Sequence, residues 1–430
     1  MLDQIKVLII GSGAREHAFA LKISKSNLVS SVFIAPGNGG TEKEFSNLPI
    51  ASLDFDGLAN AIVENDVKLV LIGPEQPLVD GIVDFFQNHP NPYFKEVSFI
   101  GPDRICAMLE GSKDFSKQIM IEAGIPTAKA KVFSASDWEE LKSYISNHAL
   151  PVVIKADGLA SGKGVAVCFS HQEALDFSAS VLINKAFGES NSSLLVEEFL
   201  DGIEVSMFVL TDGIHYQVLP EAKDYKRIFN GDLGPNTGGM GAVSPVWFVD
   251  DIFTQKVKSK IIDPLFITLK ARKLQYKGFL FIGLMKVGNE PIVIEFNARM
   301  GDPETQTVLA RIRGDIVPAL LSIKDQKLDQ FPLEISPNAA ATVVLCAENY
   351  PETPTKGDKI SIQQLSEKEY IFHAGTQLND GKVETNGGRV LSCTAEGESL
   401  ETALQAVYNI VEKIKFRGMQ FRTDIGKDLM

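Results

Sequence analysis

Pro151–Val165, PVVIKADGLASGKGV, joins an apolar run, Val152–Ile154, to Lys155 and then to a loop with glycines at 158, 162 and 164. Glycine tolerates positive φ and lets backbone amides face an anion closely, so the stretch reads as a β-strand feeding a phosphate-binding loop. Lys155 at the strand end and Lys163 in the loop would neutralise a polyphosphate. The P-loop pattern Gly-x4-Gly-Lys-Ser/Thr is not met, because only three residues separate Gly158 from Gly162 and Gly164 follows Lys163. A plain glycine-rich hairpin with a solvated lysine fits the stretch equally well. The second constellation is Pro291–Arg299, PIVIEFNAR. Alternation along a strand sends Ile292, Ile294 and Phe296 to one face and Val293, Glu295, Asn297 and Arg299 to the other. Glu295 and Asn297, about 7 Å apart along a strand, offer the hard oxygens that suit Mg²⁺, which completes its shell with phosphate and water. Arg299 beyond them suits a phosphate or a carboxylate. A strand whose outer face is merely wet is the competing reading.

Smaller signals surround these two. Gly11-Ser-Gly13-Ala-Arg15-Glu16-His17 begins like a dinucleotide fingerprint but has Glu16 where the third glycine belongs. It still suits a helix N-terminus facing a phosphate, with Arg15 as a clamp; a tight turn with a surface arginine is the alternative. Leu194–Leu200, a turn at Asp201-Gly202 and Ile203–Leu210 read as strand, turn and strand, bringing Glu197, Glu198 and Glu204 close together. Glu221–Arg227 reads as a charged loop, and Gly234–Ser244, GPNTGGMGAVS, as a second glycine-rich loop approaching a ligand. His373, beside Gly375, reads as structural. No zinc-binding, Ser/His/Asp or Cys/His constellation is present.

The elements that would position these residues follow from hydrophobic pattern. In residues 1–102, Ile5–Ile10, Val32–Ala35, Leu69–Ile72 and Ser98–Ile100 are apolar strands, each ending in a Gly or Pro loop, with helical stretches such as His17–Lys25 and Gly57–Asn65 between several of them. Apolar strands with helical crossovers imply a parallel sheet with its ligand at the carboxyl ends of the strands. Residues 103–125 read as a connecting helix, and Ser136–Asn147 as a helix capped by Ser136 and Glu139. Glu304 would start a helix running to about Leu321, and 322–337 read as a linker. Beyond it, strands at Ala341–Cys346, Tyr370–His373 and Arg389–Cys393 precede a helix at Ser399–Phe416.

Composition narrows the function classes. The 430 residues carry a net charge of −13 and four widely spaced cysteines. That acidity argues against a nucleic-acid or membrane-surface binder, and the cysteine spacing against a zinc site or disulfide framework. The one apolar run before Gly11 is too short for a signal-peptide core, so a cytoplasmic location is the expectation.

Taken together, GSGAREH (11–17), APGNGGT (35–41), IGPEQPLV (72–79), EGSK (110–113), VIKADGLASGKGV (153–165), VEEFLDGIE (196–204), GPNTGGMGA (234–242), EFNARMGDPETQ (295–306), FHAGT (372–376) and TNGGRVL (385–391) resemble the ATP-grasp superfamily. Within it they resemble the glycinamide ribonucleotide synthetases, over essentially the whole chain. The resemblance implies an α/β and α+β protein: a Rossmann-like domain (1–102), a two-lobed ATP-grasp domain (103–329, lid lobe about 126–192) and a small α+β C-terminal domain (330–430). It implies that Lys113 and Lys155 hold ATP phosphates under a lid containing Ser161, Gly162, Lys163 and Gly164. Glu197, Glu198 and Leu200 would form the adenine hinge, Glu204 would bind ribose, and Glu295 and Asn297 would bind Mg²⁺ or Mn²⁺. Arg299 would face the transferring phosphate, with Lys155 and Asp224 as its catalytic companions. Gly13, Arg15, Asn38, Glu75, Asp224, Lys226, Gly239 and Asp302 would line the substrate side.

The implied reaction joins glycine to 5-phosphoribosylamine through glycyl phosphate, with ATP consumed, by a monomer carrying this one activity. Two departures stand out: KDYKR around Asp224 lacks the family's glutamine and histidine, and GFLFIGLMKV (278–287) lacks the extra metal carboxylate of many relatives, which leaves the ligand count open. The rivals are another ATP-grasp ligase of purine synthesis, a non-catalytic ATP-binding protein and a NAD dehydrogenase.

Overall fold

The apolar N-terminal runs have no polar face to give to water, and they stack as one buried parallel sheet. In the computed structural model, which describes residues 4–160, 163–186, 188, 193–366 and 369–430, its order is Ser46–Asn47, Val29–Pro36, Ile5–Gly11, Val67–Ile72, Ser98–Ile100. All neighbouring pairs are parallel. The loops after the strands at Gly11, Pro36 and Ile72 therefore meet at one edge.

Glu16 fills that edge. Its carboxylate accepts the Gly13 N–H at 2.6 Å and the Arg15 Nε at 2.6 Å. A Cβ at Gly73 would lie 1.9 Å from Glu16 Oε1, and one at Gly11 2.6 Å from its Cδ. The glycines of these loops thus make room for a carboxylate of the protein, in the place where a dinucleotide fold leaves room for pyrophosphate. This is the physical reason against the NAD reading.

A second, antiparallel sheet runs Ala130–Ser134, Ser193–Glu198, Val152–Ala156, Val165–Cys168. The third is eight-stranded, in the order Glu290–Asn297, Gly278–Val287, Ile203–Thr211, Tyr216–Asp224, Gly241–Ser244, Ala339–Cys346, Arg389–Gly397, Tyr370–His373. It crosses the 322–337 stretch without a break, because Gly241–Ser244 pairs with Ala340–Val343. One hydrophobic core accordingly runs from Cys106 to Ile425.

Several local expectations are corrected. Ser193–Glu198 and Ile203–Thr211 do not form a hairpin: the first lies in the four-stranded sheet and the second in the eight-stranded one, so Phe199–Gly202 is a crossing between lobes. The charged stretch 221–227 is not a loop, because Tyr216–Asp224 and Arg227–Phe229 are strands whose neighbours satisfy the backbone. Residues 103–125 hold two helices, Arg104–Gly111 and Lys113–Glu122, divided at Ser112, which caps the second through Phe115 N–H. The helix expected from Ser136 starts at Trp138, and the reciprocal cap is Ser134 with Asp137. The helix from Glu304 ends at Arg311, and after Ile312–Arg313 the chain turns at Gly314, whose φ is +69°.

The strand carrying Glu295 is irregular too. Gly283 pairs with Glu295 and Leu284 with Val293, so Ile294 bulges out of register. The bulge breaks strict alternation: Val293 and Phe296 are both buried, while Ile294 is partly exposed.

The packing around Glu16 sets a test. Gly73→Ala should destabilise the chain by about 1–3 kcal/mol, as overpacking does, seen as a lower denaturant midpoint. An unchanged midpoint would mean that the Glu16 carboxylate is not wedged where it stands here.

Candidate active site

The bulge at Ile294 frees a carbonyl, and Lys155 takes it: Nζ donates to Ile294 O at 2.8 Å. Lys155 ends the central part of a strand in the small sheet and is 8% exposed. Its ammonium also meets Glu197 Oε2 at 2.8 Å. The other oxygen of Glu197 meets Lys117 Nζ at 2.9 Å. Burial pushes the Glu197 carboxyl up, but Lys155 and Lys117 outweigh it and hold it below the ordinary value. The backbone of Glu197 lies in the middle strand of the sheet, paired on both sides. Glu198 turns away, its carboxylate accepting Lys129 N–H at 2.9 Å. Leu200 sits half-buried in the crossing between sheets.

Lys113 opens the helix Lys113–Glu122, and its Nζ donates to Gly158 O at 2.9 Å. That helix start is tied to the glycine loop by Asp157, which accepts Lys113 N–H at 2.6 Å and Ser193 Oγ at 3.2 Å. Ser161 and Gly162 lie outside the described residues. Lys163 is exposed, with Nζ 3.3 Å from Pro351 O, and stands apart from the other cations. Gly164 O accepts Ala156 N–H at 2.7 Å, closing the base of the loop.

Glu295 and Asn297 lie side by side, Asn297 Nδ2 being 3.4 Å from Glu295 Oε1. Opposite Glu295 stands Gly283, where a Cβ would come 2.8 Å from Glu295 Cγ. Burial raises the Glu295 carboxyl, but Lys226, Lys155 and Lys113 outweigh it, so the group stays ionised below the usual range. An ionised carboxylate beside an amide that can turn its oxygen forward fits a hard divalent cation. Among the described residues no group of three or more His, Cys, Asp and Glu is placed to hold a metal. The two oxygens that Glu295 and Asn297 offer would suit an ion whose remaining ligands are phosphate and water.

Arg299 is held from two sides. Nη2 donates to Glu110 Oε1 at 2.8 Å and Nε to Glu75 Oε2 at 3.3 Å, while Glu110 Oε2 accepts Ala298 N–H at 2.7 Å. Burial pushes the Glu110 carboxyl up to about 7 despite Arg299. For Glu75, burial is outweighed by Arg299 and Arg15, which hold it at about 2.

On the next strands Lys226 is ion-paired with Glu204. Asp224 is raised well above its usual value by burial and by the Glu304, Glu204 and Glu295 carboxylates, against Lys226. Glu304 is buried and likewise raised by burial.

At the parallel sheet, Arg15 also donates through Nη1 to Met300 O at 3.1 Å. Asp302 is pushed up by burial but held below its usual value by Arg389, Arg15 and a 2.8 Å hydrogen bond from Gln306. Gly239, with φ +116° and no room for a Cβ beside Pro303, packs against the same turn. Arg389 Nη1 donates to Gly238 O at 2.6 Å and to Asp302 O. Asn38 spends its whole side chain inside the protein: Nδ2 donates to Ser12 O and His373 O, and Oδ1 accepts Gly40 and Thr41 N–H. A ligand there meets backbone rather than the Asn38 amide. His373 is structural, its ring buried against His17 and pushed down to about 3 by burial.

The cluster thus gathers Lys113, Lys155, Glu197, Glu204, Asp224, Lys226, Glu295, Asn297 and Arg299, with Arg15, Glu75 and Asp302 beside it. Sequence reasoning did not single out Lys117, Glu110, Asp157 or Arg389. Lys117 and Asp157 carried a signal, one helical turn from Lys113 and two strand positions from Lys155.

Three family profiles cover nearly the whole chain: the phosphoribosylglycinamide synthetase N domain at residues 5–110, its ATP-grasp (A) domain at 111–305 and its C domain at 340–428. A phosphoribosylamine–glycine ligase of Leptospira interrogans is 42% identical over 99% of both chains. One of Vibrio vulnificus is 43% identical over 98% of both. The crystal structure of a phosphoribosylamine–glycine ligase from Thermotoga maritima matches 98% of this chain and 100% of its own, with TM-score 0.84 and 34% identity. A biotin carboxylase complex from Campylobacter jejuni shares the fold, with TM-score 0.73 at 15% identity over 97% and 93% of the two chains. The chain belongs to the phosphoribosylglycinamide synthetase family, built around an ATP-grasp domain.

Proposed function

We propose that this chain ligates glycine to 5-phosphoribosylamine with hydrolysis of ATP to ADP and phosphate, giving glycinamide ribonucleotide. The observation that carries the reading of the cleft is the convergence of Lys113, Lys155 and Lys226, from three separate elements, on the ionised Glu295 beside Asn297. A polyphosphate and a divalent cation need that combination.

A carboxylate expels oxide far too slowly near neutral pH, so glycine takes a phosphoryl group from ATP and becomes glycyl phosphate. The amine of 5-phosphoribosylamine then attacks the carbonyl, phosphate leaves, and the nitrogen gives up a proton. Lys113 and Lys155 bind the ATP phosphates, and Arg299, fixed by Glu110 and Glu75, meets the charge that develops on the transferring group. Glu295 and Asn297 hold Mg²⁺ or Mn²⁺, which polarises the phosphates when bound. The backbone at Glu198 and Leu200, past the strand pairing that occupies Glu197, meets the adenine, and Glu204 leaves Lys226 to accept the ribose hydroxyls. Asp224, whose carboxyl is raised by burial and neighbouring carboxylates, is suited to take the proton released by the amine. Gly13, Arg15, Asn38, Glu75, Lys226, Gly239 and Asp302 frame the substrate end. The protein works as a monomer in the cytoplasm; no helix among the described residues is long and apolar enough to cross a membrane.

ADP release with MgATP, glycine and freshly generated 5-phosphoribosylamine tests the reaction. Omitting either glycine or the amine should abolish it. Release without glycine would redirect the cleft to another carboxylate, as in the other ATP-grasp ligases of purine synthesis. Lys155→Ala should lose at least about 10²-fold in kcat while its circular dichroism and Tm stay near the parent's, because Lys117 remains to pair Glu197. Near-parental turnover would remove Lys155 from the phosphate site.

A further inference from the structure

Glu197 is 3% exposed and lies between two buried ammonium groups, one on each oxygen. Apart from Glu197, the hydrogen-bond partners of those ammoniums are neutral, and the other carboxylate that Lys155 faces is Glu295, on the cleft side. Lys117 donates to Thr127 Oγ1 at 2.8 Å and Ala128 O at 2.9 Å, and Lys155 donates to Ile294 O at 2.8 Å. Thr127 Oγ1 in turn donates to Val293 O at 2.8 Å, so both lysines are anchored on the strand that carries Glu295 and Asn297. Two cations therefore share Glu197, and the positive charge that Glu197 leaves over faces the cleft, where Glu295 stands. Glu198 is also near Lys117, but it is half-exposed and turned to the Lys129 amide, where water screens it.

We propose that Lys117 is a positioning residue of the nucleotide cleft: by engaging Glu197 it keeps Lys155 from being neutralised and leaves its charge available to a nucleotide phosphate. Without Lys117, Lys155 and Glu197 close into a neutral pair, and the cleft loses the charge that distinguishes ATP from adenosine. Lys117 stands one helical turn after Lys113, so a single helix delivers one lysine to the ligand and one to the carboxylate behind it. The inference rests on the reading of the cleft as an ATP site.

The test is calorimetric binding of MgATP and of adenosine to the whole chain, as parent, Lys117→Met and Lys117→Met/Glu197→Gln. Lys117→Met should weaken MgATP by about tenfold or more, as loss of one partner in a buried charge cluster does, with adenosine within about twofold. The double variant removes both charges and should return MgATP to within about threefold of the parent. Parent-like MgATP binding by Lys117→Met, equal losses for MgATP and adenosine, or no recovery in the double variant would each overturn the proposal. Should Lys117→Met alone not fold, the double variant decides by the same threefold criterion. A parent that does not bind MgATP would overturn the nucleotide reading and this inference with it, whereas parental binding beside an unaffected Lys117→Met overturns the inference alone.

Discussion

Charge buried in a cleft must be balanced by charge, and this constraint organises the site. Most of its cations are met by a protein carboxylate before any ligand arrives: Lys155 and Lys117 by Glu197, Lys226 by Glu204, Arg299 by Glu110 and Glu75, whereas Lys113 donates to the Gly158 carbonyl. Such pairs cost desolvation and return much of it in fixed geometry. The cations are thereby held in place for a phosphate that arrives later, with little reorganisation left for the reaction. The pairing also sets an order of events. On the proposed reading, Glu204 would accept a ribose only by yielding Lys226, which would then turn toward the anions of the substrate.

The scaffold serves this balance by joining elements far apart in sequence. Arg299 lies just past a strand of the large sheet, yet its guanidinium meets Glu75 from the short helix Glu75–Val79, which follows a strand of the parallel sheet, and Glu110 from the helix Arg104–Gly111. Asn38 joins the loop after the first strand to His373 near the other end of the chain. The eight-stranded sheet makes these contacts rigid, since its hydrogen bonds run unbroken from Glu290–Asn297 to Tyr370–His373. Phe199–Gly202 passes from the small sheet to the large one, so relative movement of the lobes would turn about it.

Much of this was legible in the sequence for a simple reason. Parallel strands buried on both faces must be apolar throughout, and glycine loops must follow them where backbone approaches a ligand. Val152–Ile154 and Ile5–Ile10 carry those signals locally. Lys155, Glu295, Asn297 and Arg299 stand at the ends of such runs and were legible with them. What was illegible depended on partners remote in sequence. The 197–204 stretch has the pattern of a hairpin, but its strands satisfy their backbone in different sheets, a choice made by tertiary pairing. The bulge at Ile294 is set by Gly283 across the ladder, and no periodicity in PIVIEFNAR announces it. The carboxylate of Lys117 lies eighty positions away, out of reach of any local pattern.

The overall acidity of the chain, −13, is no obstacle to anionic substrates. Exposed charges farther than a Debye length, about 8 Å in physiological salt, are largely screened. What a nucleotide meets is the local arrangement, and there the carboxylates Glu295, Glu204, Asp224 and Glu304 crowd around Lys226 and its neighbours. Phosphates entering alone would add negative charge to this group. A divalent cation carried in with them would offset that charge, and on the proposed reading Glu295 and Asn297 would supply two of its oxygen ligands. Two ligands are too few for a tight site of their own, and Mg²⁺ sheds water reluctantly. On the proposed reading, the scarcity of protein ligands follows from the same balance of buried charge: the metal would be recruited by nucleotide and carboxylate together, and the cleft would be complete only when both are present.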